Sequence, residues 1–381
     1  MRVQTYIHKG VGSQPMPPAL LADANLVLAF ISPDFGPKEA LLHSLQQAYP
    51  VARIVTATTG GEIFGDRAYE KAAVVSALKL EHAQMKIAQT NVKFYAPSYD
   101  AGCELGDQLE AHDLKAVFIL SDGLLVNGTD LVRGIVERVG PDVIVTGGLA
   151  GDGARFQQTG VGVDTIPYSG AVIAIGFYGA GFRVSYGSLG GWSKFGPERI
   201  ITRSSGCMLY ELDGRPALDV YEECMGEDAA KLPGSGLLYP LSIRPDKASE
   251  QDVVRTIIGV DRENKCLIYA GDVLQGYVAQ LMRGSVDSLV DGAAQAGEFA
   301  LSNFPSAEQR SDSLAILVSC IGRNLLMKQD VSTEVEVIHR LFGDIPLVGF
   351  YSYGEICHHH ATGQCGLHNQ TMTITLITEA R

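Results

Sequence analysis

The strongest constraint on the fold of this chain is a phrase that recurs in matching surroundings near its two ends, Thr58-Thr59-Gly60-Gly61-Glu62-Ile63 and Tyr351-Ser352-Tyr353-Gly354-Glu355-Ile356. Each copy closes a unit of apolar run, helical stretch and second apolar run. In the first unit the runs Leu26 to Ile31 and Val51 to Val55 flank a breaker, Ser32-Pro33-Asp34, and a helical stretch from Lys38 to Tyr49; a strand from Ala73 to Leu80 follows the Gly-Glu phrase. Near the C-terminus the order repeats: strand Leu314 to Val318, loop Cys320-Ile321-Gly322-Arg323, helix Val331 to Phe342, strand Pro346 to Phe350, the Gly-Glu turn and strand Thr371 to Ile377. Between them lies a third such unit, with Ala116 to Leu120, Ser121-Asp122-Gly123, helix Gly128 to Val139, strand Val143 to Thr146, a Gly-rich turn from Gly147 to Gly153 and strand Ala171 to Phe177.

Short apolar runs bounded by turns and alternating with helices build β-α-β units with partly parallel sheets. The expected class is therefore α/β, with repeated β-α-β units forming mixed sheets in two related halves. Irregular spacing and long intervening segments argue for duplication rather than a solenoid. A boundary is expected near Gly187 to Phe195, where Gly-Ser-Leu-Gly-Gly-Trp interrupts the strand pattern. It divides the chain into residues 25–186 and 187–381. In the second half, Pro233 to Pro240 reads as a loop, Val253 to Val260 as a strand and Val278 to Ala296 as an amphipathic helix.

A chain of 381 residues suffices for two domains, and 46% hydrophobic with 19% charged residues is the balance of an ordinary globular protein. The net charge of −13 disfavours nucleic acid and anionic membranes, both of which need a basic surface. No apolar run reaches the roughly 18 residues of a membrane span, and the start Met1-Arg2-Val3-Gln4 lacks signal-peptide features. Seven scattered cysteines fit a reducing compartment better than a disulfide framework. The expected location is the cytoplasm.

Six phrases carry a resemblance to a known family: Thr59-Gly60-Gly61-Glu62, Gly147-Gly148-Leu149-Ala150-Gly151-Asp152, Leu212-Asp213-Gly214-Arg215-Pro216-Ala217, Ser319-Cys320-Ile321-Gly322-Arg323, Gly349 to Ile356, and Leu367-His368-Asn369-Gln370-Thr371-Met372-Thr373. In this order they resemble the FIST sensory proteins, with an N-terminal and a C-terminal FIST half covering the chain from about Asn25 onward. The resemblance implies a cytoplasmic ligand sensor acting on a histidine kinase or a cyclic-di-GMP enzyme. A stand-alone subset, NosP, is described as haem-binding nitric-oxide sensors, and this chain resembles that form. Haem b, a diatomic gas ligand and a kinase partner are what the resemblance implies; a homo-oligomer is compatible with it.

Ligand-type side chains are densest near the C-terminus, at Cys357, His358, His359, His360, Cys365 and His368, and the repeat places Cys320 at the end of a neighbouring strand. Ligand sites in parallel sheets form beyond the carboxyl ends of strands, so Cys320 is expected to converge with the loop from Cys357 to His368. Three readings compete. In a haem site one His or Cys is the axial ligand, with Tyr351, Tyr353 and Leu367 as an apolar wall. In an iron–sulfur site Cys320, Cys357 and Cys365 supply three thiolates, leaving one iron open or ligated by a histidine such as His368. In the third the histidines are merely solvated and Cys320 is a small core residue. Cys365 and His368, three apart in a resembling phrase, outweigh the consecutive histidines, which lack a standard ligand spacing.

Arg323 has the planar fork to bind a haem propionate or a ligand carboxylate, or to pair with a Gly-Glu carboxylate. A metal-free alternative follows: a module for a small polar metabolite such as an amino acid, held by Arg323 and the turns bearing Glu62 and Glu355. Glu62, Glu355 and Asp152 otherwise read as carboxylates capping backbone amides. The turn at Gly147 to Gly153 lacks the Lys of a phosphate-binding loop, and no helix pattern follows it. With no Gly-x-Ser-x-Gly elbow and no evident acid–base pair, the sequence reads as that of a non-enzyme.

Overall fold

The structure, a computed structural model, describes residues 1–10, 20–95, 97–232, 234–249, 252–302, 304, 312–359 and 362–380. Two residues invoked above, Pro233 and His360, lie outside these.

Three units share one plan. Each has a leading strand (Arg2–His8, Gln84–Asn91, Phe182–Leu189), a first strand (Leu26–Ile31, Leu114–Ser121, Leu314–Cys320), a second strand parallel to it (Arg53–Thr58, Ile144–Leu149, Leu347–Ser352) and a closing strand (Ala73–Lys79, Ala171–Tyr178, Met372–Glu379). The order across each sheet is leading, closing, first, second, with the parallel pair inside and antiparallel strands outside. The chain is thus an α/β protein of mixed sheets, as expected.

The fifth strand of each sheet comes from another unit. After its second strand every unit extends a short arm, Glu62–Phe64, Val161–Val163 or Gly354–His358. The first unit's arm pairs with the second strand of the third, the third's arm with that of the second, and the second's arm with that of the first. The Gly-Glu phrases are therefore not turns closing their own units: Glu62 and Gly354-Glu355 open strands that pair with a different unit.

Alternation along the first strands explains why they read as unbroken apolar runs. Leu26, Leu28 and Phe30 face a common core with Phe118, Leu120, Ile316, Val318 and Phe350, while Val27, Ala29 and Ile31 pack beneath the helix Lys38–Ala48. Strands buried on both faces need apolar residues at every position. Phe30 and Phe350, from different units, meet at 4.8 Å between ring centres.

Local readings fail where a close approach intervenes. Residues 147–149 belong to the second strand Ile144–Leu149 rather than to a turn. Gly147 has φ +142°, and a Cβ there would lie 2.0 Å from the Ile119 carbonyl, so glycine is what lets the two strands pair. The segment Cys320 to Arg323 is not a loop: Ile321–Met327 is helical directly after the strand. The stretch Val278 to Ala296 divides into strand Val278–Arg283 and helix Val286–Ser302. Gly284-Ser285 breaks it, and the Ser285 hydroxyl accepts from Ser288 N–H at 3.2 Å as an N-cap.

Between the leading strand of the third unit and its helix Val286–Ser302 lies an insert, residues 193–283, with a nine-stranded antiparallel sheet and its own core around Tyr221, Ile257 and Tyr269. The edge strands on its main path, Val253–Arg255 and Ile257–Asp261, are joined by Thr256 alone, so the sheet must curl until its edges nearly meet.

Candidate functional site

The three units meet where their second strands end. Gly60 N–H donates to the Tyr351 carbonyl at 2.7 Å, Gly151 N–H to Thr58 at 3.1 Å, and Tyr353 N–H to Leu149 at 3.1 Å, so that each unit holds the next in a closed ring. Carboxylates follow each contact. Glu62 accepts from the Thr59 hydroxyl and from Ala72 N–H at 3.1 Å. Glu355 accepts from the Ser352 hydroxyl at 2.6 Å and from Thr371 N–H and hydroxyl at 3.1 and 2.9 Å. Burial raises both acids from 4.5 to about 8, against the pull of these hydrogen bonds. Asp152 caps its loop as expected, accepting from Phe156, Gln157 and Gln158 N–H at 2.8–2.9 Å; burial pushes its pKa up, but the hydrogen bonds outweigh this and hold it low.

Arg323 is a structural residue in this fold. Its partner is not a Gly-Glu carboxylate but Glu334, and both side chains are 0% exposed. Arg323 Nε and Nη2 donate to Glu334 Oε2 at 2.9 and 2.7 Å, Nη2 also reaches the Leu289 carbonyl at 2.8 Å, and Nη1 bonds the Gly190 carbonyl. Ser319 and Tyr351 hydroxyls fill the other Glu334 oxygen at 3.0 and 2.8 Å. Each Arg323 nitrogen and both Glu334 oxygens have a protein partner in this buried cluster, which makes Arg323 and Tyr351 part of the core rather than of a ligand site. Tyr353 differs: its hydroxyl bonds Asp152 and the Gly153 carbonyl, its ring stacks on Phe156 at 4.5 Å, and it lines a cavity described below.

The cysteines and histidines do not converge as expected. Among the described residues no group of three His, Cys, Asp or Glu side chains is arranged to hold a metal ion. Cys320 lines one cavity with Tyr353, whereas Cys365 and His368 line a separate cleft of about 630 Å³ with Val132, Arg133 and Arg255. The hairpin that pairs Cys357 with Gly366 belongs to the sheet of the second unit, whereas Cys320 ends a strand in the sheet of the third. Burial pushes the Cys357 thiol up to about 12 and the Cys320 and Cys365 thiols strongly up. The Cys365 thiol donates to the Val145 carbonyl at 3.4 Å. His358 has both ring nitrogens engaged, with Val145 N–H at 3.0 Å and the Gly363 carbonyl at 2.9 Å. His368 Nε2 meets the Cys357 carbonyl at 3.0 Å, so Nε2 carries the proton and Nδ1 the lone pair; burial lowers this imidazole to about 4.

The cavity containing Cys320 and Tyr353 has a volume of about 240 Å³ and opens between the three-unit core and the insert. It lies beyond the carboxyl ends of strands, bounded by Leu149, Cys320 and the loop Gly123–Asn127, with the insert closing over it. Three of its side chains carry a buried polar atom with no protein partner: Thr256 Oγ1, Tyr269 Oη and Asn369 Oδ1, on residues 3%, 1% and 1% exposed. The Asn369 amide is oriented, because its Nδ2 donates to the His368 carbonyl at 3.0 Å. Buried polar atoms are nearly always paired, so three unpaired ones on residues that line one cavity make it the candidate site. Sequence reasoning reached Asn369 only as part of a resembling phrase and missed Thr256 and Cys207, which link strands of the insert, and Tyr269, which ends one.

The chain matches two family models in succession, the FIST N domain over residues 25–215 and the FIST C domain over residues 217–358. The junction between them falls inside the insert, whereas the sequence reading divides the chain at residue 187. An uncharacterized protein of Mycobacterium tuberculosis is 26% identical over 246 residues, 63% of this chain and 62% of that protein. An uncharacterized protein of Mycobacterium bovis is 24% identical over 245 residues, 63% and 61% of the two chains. The match thus spans less than two thirds of these relatives' length. Among solved structures, cyanuric acid hydrolase from A. caulinodans aligns over 100% of this chain and 99% of its own at 6% identity and TM-score 0.41. A chorismatase aligns over 99% and 100% at 9% identity and TM-score 0.34; likeness at this level carries no argument about function. No helix of the described residues is long and apolar enough to cross a membrane.

Proposed function

This chain belongs to the FIST family, and on that premise we propose that it is a ligand-sensing module whose signal enters at the 240 Å³ cavity between core and insert. The family match carries the sensory, signal-transduction role. The observation that supports this entry point is the set of three unpartnered buried polar atoms, Thr256 Oγ1 and Tyr269 Oη from the insert and Asn369 Oδ1 from the core. A ligand bonded to all three ties insert to core, so occupancy stabilises the arrangement in which they are closed together. A ligand shifts such an equilibrium only by its differential affinity for the two arrangements. In this reading the partner is a histidine kinase or a cyclic-di-GMP enzyme that distinguishes the closed arrangement from the open one.

The reading is tested by screening small molecules against the full chain for thermal stabilisation, with Tyr269→Phe and Asn369→Leu as controls. A ligand of this cavity raises the unfolding temperature of the wild type and loses that effect in both variants. A stabilising ligand whose effect survives both substitutions binds elsewhere and refutes the assignment.

A second reading, haem with a diatomic gas such as nitric oxide as its ligand, is favoured by one observation in the 630 Å³ cleft. His368 there is a neutral imidazole whose Nε2–H is held by a carbonyl, so its Nδ1 lone pair would hold the iron. Val132, Val136 and Leu367 supply apolar wall, and Arg133 stands at the cleft for a propionate. Bound there, haem would supply the gas-binding iron. An iron–sulfur cluster does not fit, because Cys320 lies on the other cavity and the thiols are held protonated by burial. Haem titration of the apoprotein distinguishes the readings: a saturable Soret band lost in His368→Ala supports haem, and an unsaturable or unchanged one removes it.

A further inference from the structure

Resting on the cavity reading above, we infer that the ligand of the cavity between core and insert is an uncharged molecule that accepts hydrogen bonds at one end and donates one at the other, not an amino acid or another ion. About 240 Å³ is far above the ~10–15 Å³ that a cavity needs to hold one water, and leaves room for a small organic molecule. Among the described residues lining it none is charged. The walls are largely aliphatic, from Leu124, Leu149, Leu237, Ile258 and Ile321.

The charged residues next in sequence or hydrogen-bonded to the lining residues have protein partners of their own. Asp122 accepts from Leu124 and Leu125 N–H at 2.7 and 2.8 Å, from Thr159 Oγ1 at 2.9 Å and from Gly170 N–H at 2.9 Å. Asp152 is filled by Tyr353 and three loop amides. Asp272 accepts from Asn127 Nδ2 at 3.0 Å. Arg255 lines the other cleft, donating to the carbonyls of Asp272, Val254 and Leu367 at 2.9, 3.2 and 3.1 Å. The side chains that a carboxylate or ammonium would meet in the cavity are hydroxyls, the amides of Asn127 and Asn369, and thiols that burial keeps neutral. Taking an ion out of water costs several kcal/mol unless a counter-charge meets it.

The polar atoms that are available define a neutral partner. Asn369 Oδ1 only accepts, so the ligand presents an N–H or O–H to it. The hydroxyls of Thr256 and Tyr269 can donate, so the ligand presents a carbonyl or ring nitrogen to them. Amides, lactams and hydroxylated or aza-aromatic rings carry this donor–acceptor pair without charge.

Benzamide, benzoate and benzamidinium share one skeleton and differ in charge, and their binding to the full chain by ligand-observed NMR and calorimetry tests the inference. Benzamide is expected to bind about tenfold more tightly than either ion, and Tyr269→Phe or Thr256→Val is expected to weaken it several-fold, the worth of one neutral hydrogen bond. The same two variants, unliganded, are expected to unfold at no lower temperature than the wild type, because the deleted hydroxyl has no partner to lose. Benzoate or benzamidinium binding as tightly as benzamide, with the same sensitivity to Tyr269→Phe, overturns the charge assignment while leaving the cavity as the entry point. Failure of all three, and of a wider panel of neutral and charged fragments, to bind in a manner sensitive to these variants overturns the entry point and this inference with it.

Discussion

The backbone N–H of Gly60 donates to the carbonyl of Tyr351 at 2.7 Å, joining the first unit of the chain to the last. Two further bonds of the same kind, Gly151 to Thr58 and Tyr353 to Leu149, complete a ring in which every unit is both donor and acceptor. Exchange of arms between sheets surrounds this ring, so no unit can leave without breaking a strand pairing in another.

The ring predicts a large effect from one methyl group. A Cβ on Gly151 would lie 2.9 Å from Gly60 N and 3.2 Å from Tyr351 O, and both are backbone atoms held by the other two units. Gly151→Ala is expected to cost about 1–3 kcal/mol, the usual range for overpacking. Urea denaturation measures it; an unchanged midpoint with an unchanged slope would show that the ring yields freely.

Arg323 and Glu334 make a stability prediction in place of the ligand contact that the sequence suggested. Both side chains are 0% exposed and hydrogen-bonded throughout. Arg323→Met removes the charge and strands Glu334, at an expected cost of about 3–5 kcal/mol. The double variant Arg323→Met with Glu334→Leu should recover part of that loss. If the single variant keeps wild-type stability but loses ligand binding, Arg323 belongs to a ligand site after all.

Glu62 and Glu355 predict a pH dependence of definite sign. Burial raises both from 4.5 to about 8 in the folded state. Between those values the folded protein holds protons that the unfolded chain has released, so stability falls as pH rises. Their contribution is complete below about pH 4.5, declines by up to about 1.4 kcal/mol per pH unit for each acid and is lost by pH 8. Glu62→Gln combined with Glu355→Gln is expected to flatten the thermal-unfolding profile between pH 5 and 8. A profile equally steep in that double variant would place the linkage on other groups.

Trp192, the single tryptophan, is a built-in reporter of how the insert meets the core. Its indole N–H donates to the Gln370 carbonyl at 2.8 Å, and the Gln370 amide donates to Leu237 of the insert at 2.9 Å. Ligand binding at the neighbouring cavity is expected to shift Trp192 emission, and Gln370→Ala to shift it without ligand. Emission indifferent to a ligand shown by calorimetry to bind would mean that occupancy does not alter this junction.

Much of the local architecture was legible in the residues themselves. Leu26–Ile31 and Leu314–Cys320 are apolar at nearly every position because both faces of a central strand are covered, and Gly128–Val139 has the periodicity of a helix. The order of the resembling phrases was likewise enough for the family. Short-range chemistry also predicted the Asp152 cap, since a carboxylate bonding amides a few residues onward needs no distant partner.

What the sequence by itself determined, then, are the β-α-β units, most of their strands and helices, and the family; the tertiary structure decided which surfaces meet. An arm of three residues such as Glu62–Phe64 pairs through backbone atoms that every residue possesses, so its partner strand is chosen by packing and not by its own letters. Arg323 meets Glu334 rather than Glu62 or Glu355 because the segment after Cys320 coils into a helix instead of running on as a loop. The same geometry holds Cys320 apart from Cys365 and His368. The candidate cavity exists only because a curled insert brings Thr256 and Tyr269 over Asn369, a meeting of residues about a hundred positions apart that long-range packing alone produces.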